Sequence, residues 1–103
     1  MDKTWKKFER WVGEFLTELG DKSNRVPITG RSRGSAPDVT SDRLSIECKY
    51  RKSIPGWIKE AMEQAVASSR DGKVPVVFIK ENGAPFDYTL IVFRAKDFRE
   101  KLK

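Results

Sequence analysis

The chain contains no histidine and a single cysteine, Cys48. Without imidazole it cannot itself supply a histidine general base, a serine-type triad or a His-ligated zinc centre. One thiol closes no internal disulfide and builds no Cys-rich zinc site. Long apolar runs are missing too: none approaches the ~18 residues of a membrane span, and no secretory leader pattern is visible. Internal repeats, linkers and low-complexity tracts are also lacking. These absences lead us to expect an intracellular domain with no membrane role.

What the chain has is charge. Among 103 residues, 21 are Lys or Arg and 15 are Asp or Glu, a net charge of +6, with a pI near 9.6. Such an excess favours a polyanionic partner, and nucleic acid suits it better than a membrane surface. The length predicts one domain over residues 1–103, with a small core.

Hydrophobic spacing predicts a first helix over 3–19, with Trp5, Phe8, Trp11, Val12, Phe15, Leu16 and Leu19 on one stripe. Gly20 supplies its stop. Glu9 falls at the rim of that stripe, either reaching a site on the sheet or pairing with Lys6 or Lys7. Glu14 and Glu18 project further round. Residues 24–29 read as a strand, where Pro27 implies an edge or bulge. Arg31 and Arg33 then stand in a loop of small residues. A second helix is expected over 57–69, with Ile58, Ala61, Met62, Ala65 and Val66 buried, Pro55 in its first turn and Asp71-Gly72 after it. Val74 to Ile79 reads as a buried strand, 88–93 as a last strand, and 96–102 as a short basic helix.

The chemistry concentrates between Ser35 and Arg51. Leu44, Ile46, Cys48 and Tyr50 alternate with Ser45, Glu47, Lys49 and Arg51, the period of a half-buried strand. Glu47 and Lys49 then share a face, roughly 7 Å apart. A turn at Thr40-Ser41-Asp42 would bring Asp38 back across from Glu47 or Lys49. Close carboxylates repel unless a cation lies between them, and hard oxygen donors suit Mg²⁺ or Mn²⁺. A neighbouring lysine can orient water or stabilise charge on phosphorus. Taken alone, Glu-x-Lys is most often a solvated strand face; Cys48, facing the other way, reads as a small core residue.

Pro37-Asp38 followed by Glu47-Cys48-Lys49 resembles, in order and spacing, the motif of the PD-(D/E)XK nuclease superfamily. That superfamily includes restriction endonucleases and archaeal-type Holliday junction resolvases; the short form is also similar to phage-encoded nucleases, which would act in a host cytoplasm. A helix connecting the two would set the 74–79 strand parallel to that of Glu47, and the order α-β-β-β-α-β-β-α reads as an α/β fold with a mixed central sheet flanked by helices; the resemblance implies that this is a restriction-endonuclease-like core. It implies a Mg²⁺-dependent endonuclease hydrolysing DNA phosphodiesters, in recombination or repair. Asp38 and Glu47 would bind the metal with a backbone carbonyl of Ile46 or, better, Cys48. Lys49 would position water, and Glu9, with Glu14 as the fallback, would bind metal directly or through water. Arg31, Arg33, Arg51 and Lys52 would bind DNA, with Lys59 extending that surface, and Gln64 could touch the site. Small size and the lack of a recognition domain favour a four-way junction as substrate. Two paired cuts would need a homodimer, with Trp57 a candidate interface residue. The rival expectations are a nucleic-acid-binding module without catalysis, and a nicking or repair-type nuclease on flaps or mismatches.

Overall fold

A computed structural model describes residues 4–21, 23–25 and 38–102. Two compact units divide the chain, Met1–Lys52 and Ser53–Lys103. Among the described residues the protein is a small α/β structure with three α-helices and two small antiparallel sheets.

In the first unit, α1 (Thr4–Glu18) buries Leu16 and leaves Trp5, Phe8, Val12, Phe15 and Leu19 half-buried. It ends where Gly20 adopts a φ of 91°, a left-handed conformation that glycine reaches without a Cβ penalty. The Gly20 N–H donates to the Thr17 carbonyl and the Asp21 N–H to that of Leu16, each at 2.9 Å. These two bonds are a Schellman closure. Strands β1 (Ser23–Arg25), β2 (Val39–Ser41) and β3 (Ser45–Ile46) follow, ordered β1-β2-β3. Helix α1 packs on β1 and β2, and Val39 on β2 is wholly buried.

Two local expectations shift. The strand predicted over 24–29 is seen as β1, and residues 26–29 lie outside the described residues. The turn predicted at Thr40-Ser41-Asp42 sits later, at Asp42 and Arg43, because Thr40 and Ser41 belong to β2. Side chains hold it there. The Ser41 hydroxyl accepts the Leu44 N–H at 3.0 Å and donates to the buried Asp21 carboxylate at 2.6 Å.

In the second unit, α2 (Gly56–Ser68) begins after Pro55, whose carbonyl accepts from the Ile58 and Lys59 amides. Its apolar stripe is less covered than the periodicity predicts: Ile58, Ala61, Met62 and Ala65 are half-buried and Val66 is exposed. With Ile54, Val92 and Phe93 the stripe borders an open apolar groove of about 550 Å³. Past the helix, Asp71 and Gly72 carry φ values of 55° and 72° between an Arg70 carbonyl and a Lys73 amide bonded at 3.0 Å. Two successive positive φ angles are the type I′ signature that Asp-Gly favours.

Strand β4 (Val77–Ile79) is shorter than the predicted run from Val74, since Pro75 has no N–H for a ladder. It pairs antiparallel with β5 (Leu90–Val92), Phe78 opposite Ile91. A 3₁₀ turn at Phe86–Tyr88 precedes β5, where the sequence predicted strand from 88. Helix α3 (Ala95–Leu102) closes the chain, and Phe98 stacks on Phe93 with ring centroids 4.5 Å apart. The ladder described for β4 is its antiparallel pairing with β5, and every ladder among the described residues is antiparallel. No helix among them is long and apolar enough to cross a membrane.

Candidate functional site

Strands β2 and β3 pair Val39 with Ile46 and Thr40 with Ser45. Beyond Val39 the ladder slips by one residue. The Asp38 N–H donates to the carbonyl of Ile46, already the partner of Val39, at 2.8 Å. Two residues facing one is the mark of a β-bulge, a device that re-aims a side chain. The Asp38 carboxylate then takes over where the backbone ladder stops: its Oδ2 accepts the Cys48 N–H at 2.6 Å. This explains why β3 is paired at only two residues although the alternation runs to Tyr50.

The same bond sets Asp38 beside the Glu47-Cys48-Lys49 segment. Asp38, Glu47, Cys48, Lys49 and Arg51 line one cleft with Trp5, Phe8 and Glu9 of α1 and with Tyr50, a volume of about 380 Å³. Glu9 is 5% exposed and Asp38 6%. Burying a carboxylate is costly without partners, and both have them. Glu47 and Lys49 lie at the mouth, both exposed, with Lys49 Nζ 3.6 Å from Glu47 Oε2. Residues two apart on an extended segment face the same way, which permits that ion pair.

Other sequence-predicted residues stand elsewhere. Glu14 is exposed on α1, away from the cleft lining. Lys52 is exposed just after the segment, Lys59 and Gln64 are exposed on α2, and Trp57 is 59% exposed. Arg31 and Arg33 lie outside the described residues.

Two features escaped the periodicity. Trp5, Phe8 and Tyr50, assigned to apolar faces, form walls of the cleft. Asp21 is 4% exposed and anchors the β2–β3 turn through Ser41, with Arg43 Nε 3.8 Å from its Oδ1. Its signal was its place directly after the helix-stopping Gly20, where the Schellman closure turns the chain toward the sheet.

The donor chemistry fits magnesium in one form. Mg²⁺ keeps several waters and is commonly held by one or two carboxylates; Asp38 and Glu47, flanking the Cys48 backbone, supply such a pair. Among the described residues no group of three or more Asp, Glu or Cys side chains is disposed to hold an ion. A cation here would therefore be of the two-carboxylate kind, completed by backbone oxygen and water.

No family model, no curated protein and no solved structure matches this chain.

Proposed function

We propose that this protein is a Mg²⁺-dependent endodeoxyribonuclease of the PD-(D/E)XK type, with a restriction-endonuclease-like core built around a mixed sheet. The observation that carries the reading is the cleft itself. Glu9, Asp38 and the Glu47–Lys49 pair, from three separate stretches of the chain, line one concavity. In this reading Asp38, Glu47 and the Cys48 carbonyl hold the ion, and Glu9 backs them. Bound there, Mg²⁺ would supply a water of lowered pKa and neutralise charge on the phosphate. Lys49, exposed at the mouth, orients the attacking water and meets the charge that develops on phosphorus. Arg31, Arg33, Arg51 and Lys52 grip the flanking phosphates.

The preferred substrate is branched DNA, a four-way junction above others. The net charge of +6 supports a polyanionic substrate. Paired cuts on a junction require two active sites, hence a homodimer, and the exposed Trp57 is our candidate for its interface. The setting is intracellular, in a cell or a phage-infected host. Incubating the protein with linear, flapped and four-way substrates, with Mg²⁺ and with EDTA, tests the reading. Metal-dependent scission of the junction, lost in Asp38→Ala, Glu47→Ala and Lys49→Ala, is expected. Full activity in Asp38→Ala overturns the assignment. Preference for flaps would make it a repair-type nuclease, and a monomer by light scattering would remove the resolvase form.

A second reading, a nucleic-acid-binding module without catalysis, draws on the net charge of +6 and on the exposed Arg51 and Lys52. Salt-sensitive binding without scission in any metal would favour it.

A further inference from the structure

We infer that the aromatic wall of the cleft, Tyr50 with Trp5, stacks an unpaired base beside the phosphate that a cation at Asp38 and Glu47 would hold, which makes Tyr50 a specificity-determining residue; this rests on the nuclease reading. Three observations lead there. First, at about 380 Å³ the cleft lies within the range of small-ligand sites, about 300–1,000 Å³, and exceeds what one phosphate group fills. Second, its lining joins two chemistries, the carboxylates and Lys49 together with the rings of Trp5, Phe8 and Tyr50. A nucleotide joins an anionic phosphate and a flat apolar base.

Third, Tyr50 is displayed rather than packed away. It continues the alternation of Ile46 and Cys48, both half-buried, yet is 55% exposed. Its ring is braced by Phe8, centroids 6.0 Å apart at 57°, and Phe8 is in turn stacked on Trp11 at 6.4 Å. A braced, exposed ring loses little freedom when a base lies on it. Lys6 Nζ stands 5.5 Å from the Trp5 ring centroid, and Arg51 lines the cleft, so cations attend the aromatic wall as a phosphate backbone requires. Every base offers a π face, so such stacking tolerates sequence. A base inside a continuous duplex cannot reach the ring; one in a flap or gap can, and one at a junction can once it is unpaired, at the cost of breaking its pair and its stack. Selection would therefore be for DNA structure, without reading sequence.

The test is equilibrium binding with Ca²⁺, which takes the same oxygen ligands, in place of Mg²⁺ and with the DNA confirmed intact on a gel, of a single-stranded oligonucleotide carrying one 2-aminopurine and of a blunt duplex of the same sequence. Tyr50→Phe keeps the ring and should quench 2-aminopurine as the parent does. Tyr50→Leu should bind the single strand about tenfold more weakly while duplex affinity stays within about twofold, leaving the phosphate contacts alone. Circular dichroism controls for folding, which an exposed position should preserve. Equal affinity of parent and Leu variant for the single strand, equal losses on both DNAs, or a Phe variant that behaves as Leu does, each overturns the inference. A parent that quenches the probe yet never cuts DNA with any divalent metal overturns the nuclease reading and leaves the stacking site standing.

Discussion

The Cys48 amide donates to the Asp38 carboxylate at 2.6 Å, across the end of the β2–β3 ladder. Asp38 thus serves the sheet and the cleft at once, and two substitutions separate these roles. Asp38→Ala leaves a part-buried amide without its acceptor, a cost of about 1–3 kcal/mol. Asp38→Asn retains an oxygen to accept the bond and removes the charge. Urea unfolding should show the Ala variant clearly weakened and the Asn variant within about 1 kcal/mol of the parent, while both lose Mg²⁺-dependent cleavage. Equal stabilities for Ala and Asn would mean that the hydrogen bond does not hold the segment.

Lys49 should behave in the opposite way, affecting chemistry and not stability. Its ion pair with Glu47 spans 3.6 Å between two exposed side chains, and such pairs are worth about 0–1 kcal/mol. Lys49→Met should therefore leave the thermal midpoint almost unmoved. Cleavage of a four-way junction should fall by about 100-fold or more, as expected when a charge aimed at the transition state is removed. A melting temperature that drops while cleavage persists would assign Lys49 to structure alone.

How much of this was legible in the sequence depends on the range of the interactions involved. Helices were legible because one face of α1 and α2 repeats locally, and Gly20 and Asp71-Gly72 carry their conformational preference in their own chemistry. The alternation from Leu44 to Arg51 placed Glu47 and Lys49 on a common face, and their ion pair is a local consequence. Pairing was less legible. Periodicity could leave Asp38 facing either Glu47 or Lys49, because the choice is made by a one-residue slip at Ile46 and by a side chain standing in for a carbonyl. The turn moved to Asp42 and Arg43 for a similar reason: Asp21, distant in sequence, holds Ser41 in the strand. Tyr50 follows the buried alternation and is nonetheless exposed, since what a strand face meets is decided outside the strand.

Helix α3 offers a pH-dependent signature. Arg94 Nε donates to Asp97 Oδ2 at 2.7 Å at the start of the helix. That hydrogen bond, helped by the positive charges of Arg94 and Lys96 and opposed by burial, holds the Asp97 carboxyl below its ordinary value of 3.8. A carboxyl depressed in the folded state stabilises it above the unfolded value, and that contribution disappears as pH falls through the lower folded value. Carbon-detected NMR titration should find Asp97 ionising below 3.8 in the parent and higher in Arg94→Gln. Identical titrations in the two proteins would show that the pair seen here does not persist in solution.

The clamp beneath the β2–β3 turn makes the last prediction, and it links fold to function. Asp21 Oδ2 accepts a hydrogen bond from the Ser41 hydroxyl at 2.6 Å, and the same hydroxyl oxygen accepts one from the Leu44 N–H at 3.0 Å. Together they fix where β2 ends and β3 begins. A slip of one residue in such a hairpin sends every side chain to the opposite face, which would part Glu47 from Asp38. Ser41→Ala should thus cost about 1–3 kcal/mol, because the buried Asp21, whose Oδ1 already has no hydrogen-bond partner, loses the bond at its Oδ2 as well, and Ser41→Thr should restore most of it. Cleavage per folded molecule, measured well below the melting transition, should also fall in the Ala variant and recover in the Thr variant. If stability drops while the rate of the folded fraction is unchanged, the clamp stabilises the turn without setting its register, and the convergence of Asp38 with Glu47 must be held by the Asp38–Cys48 bond alone.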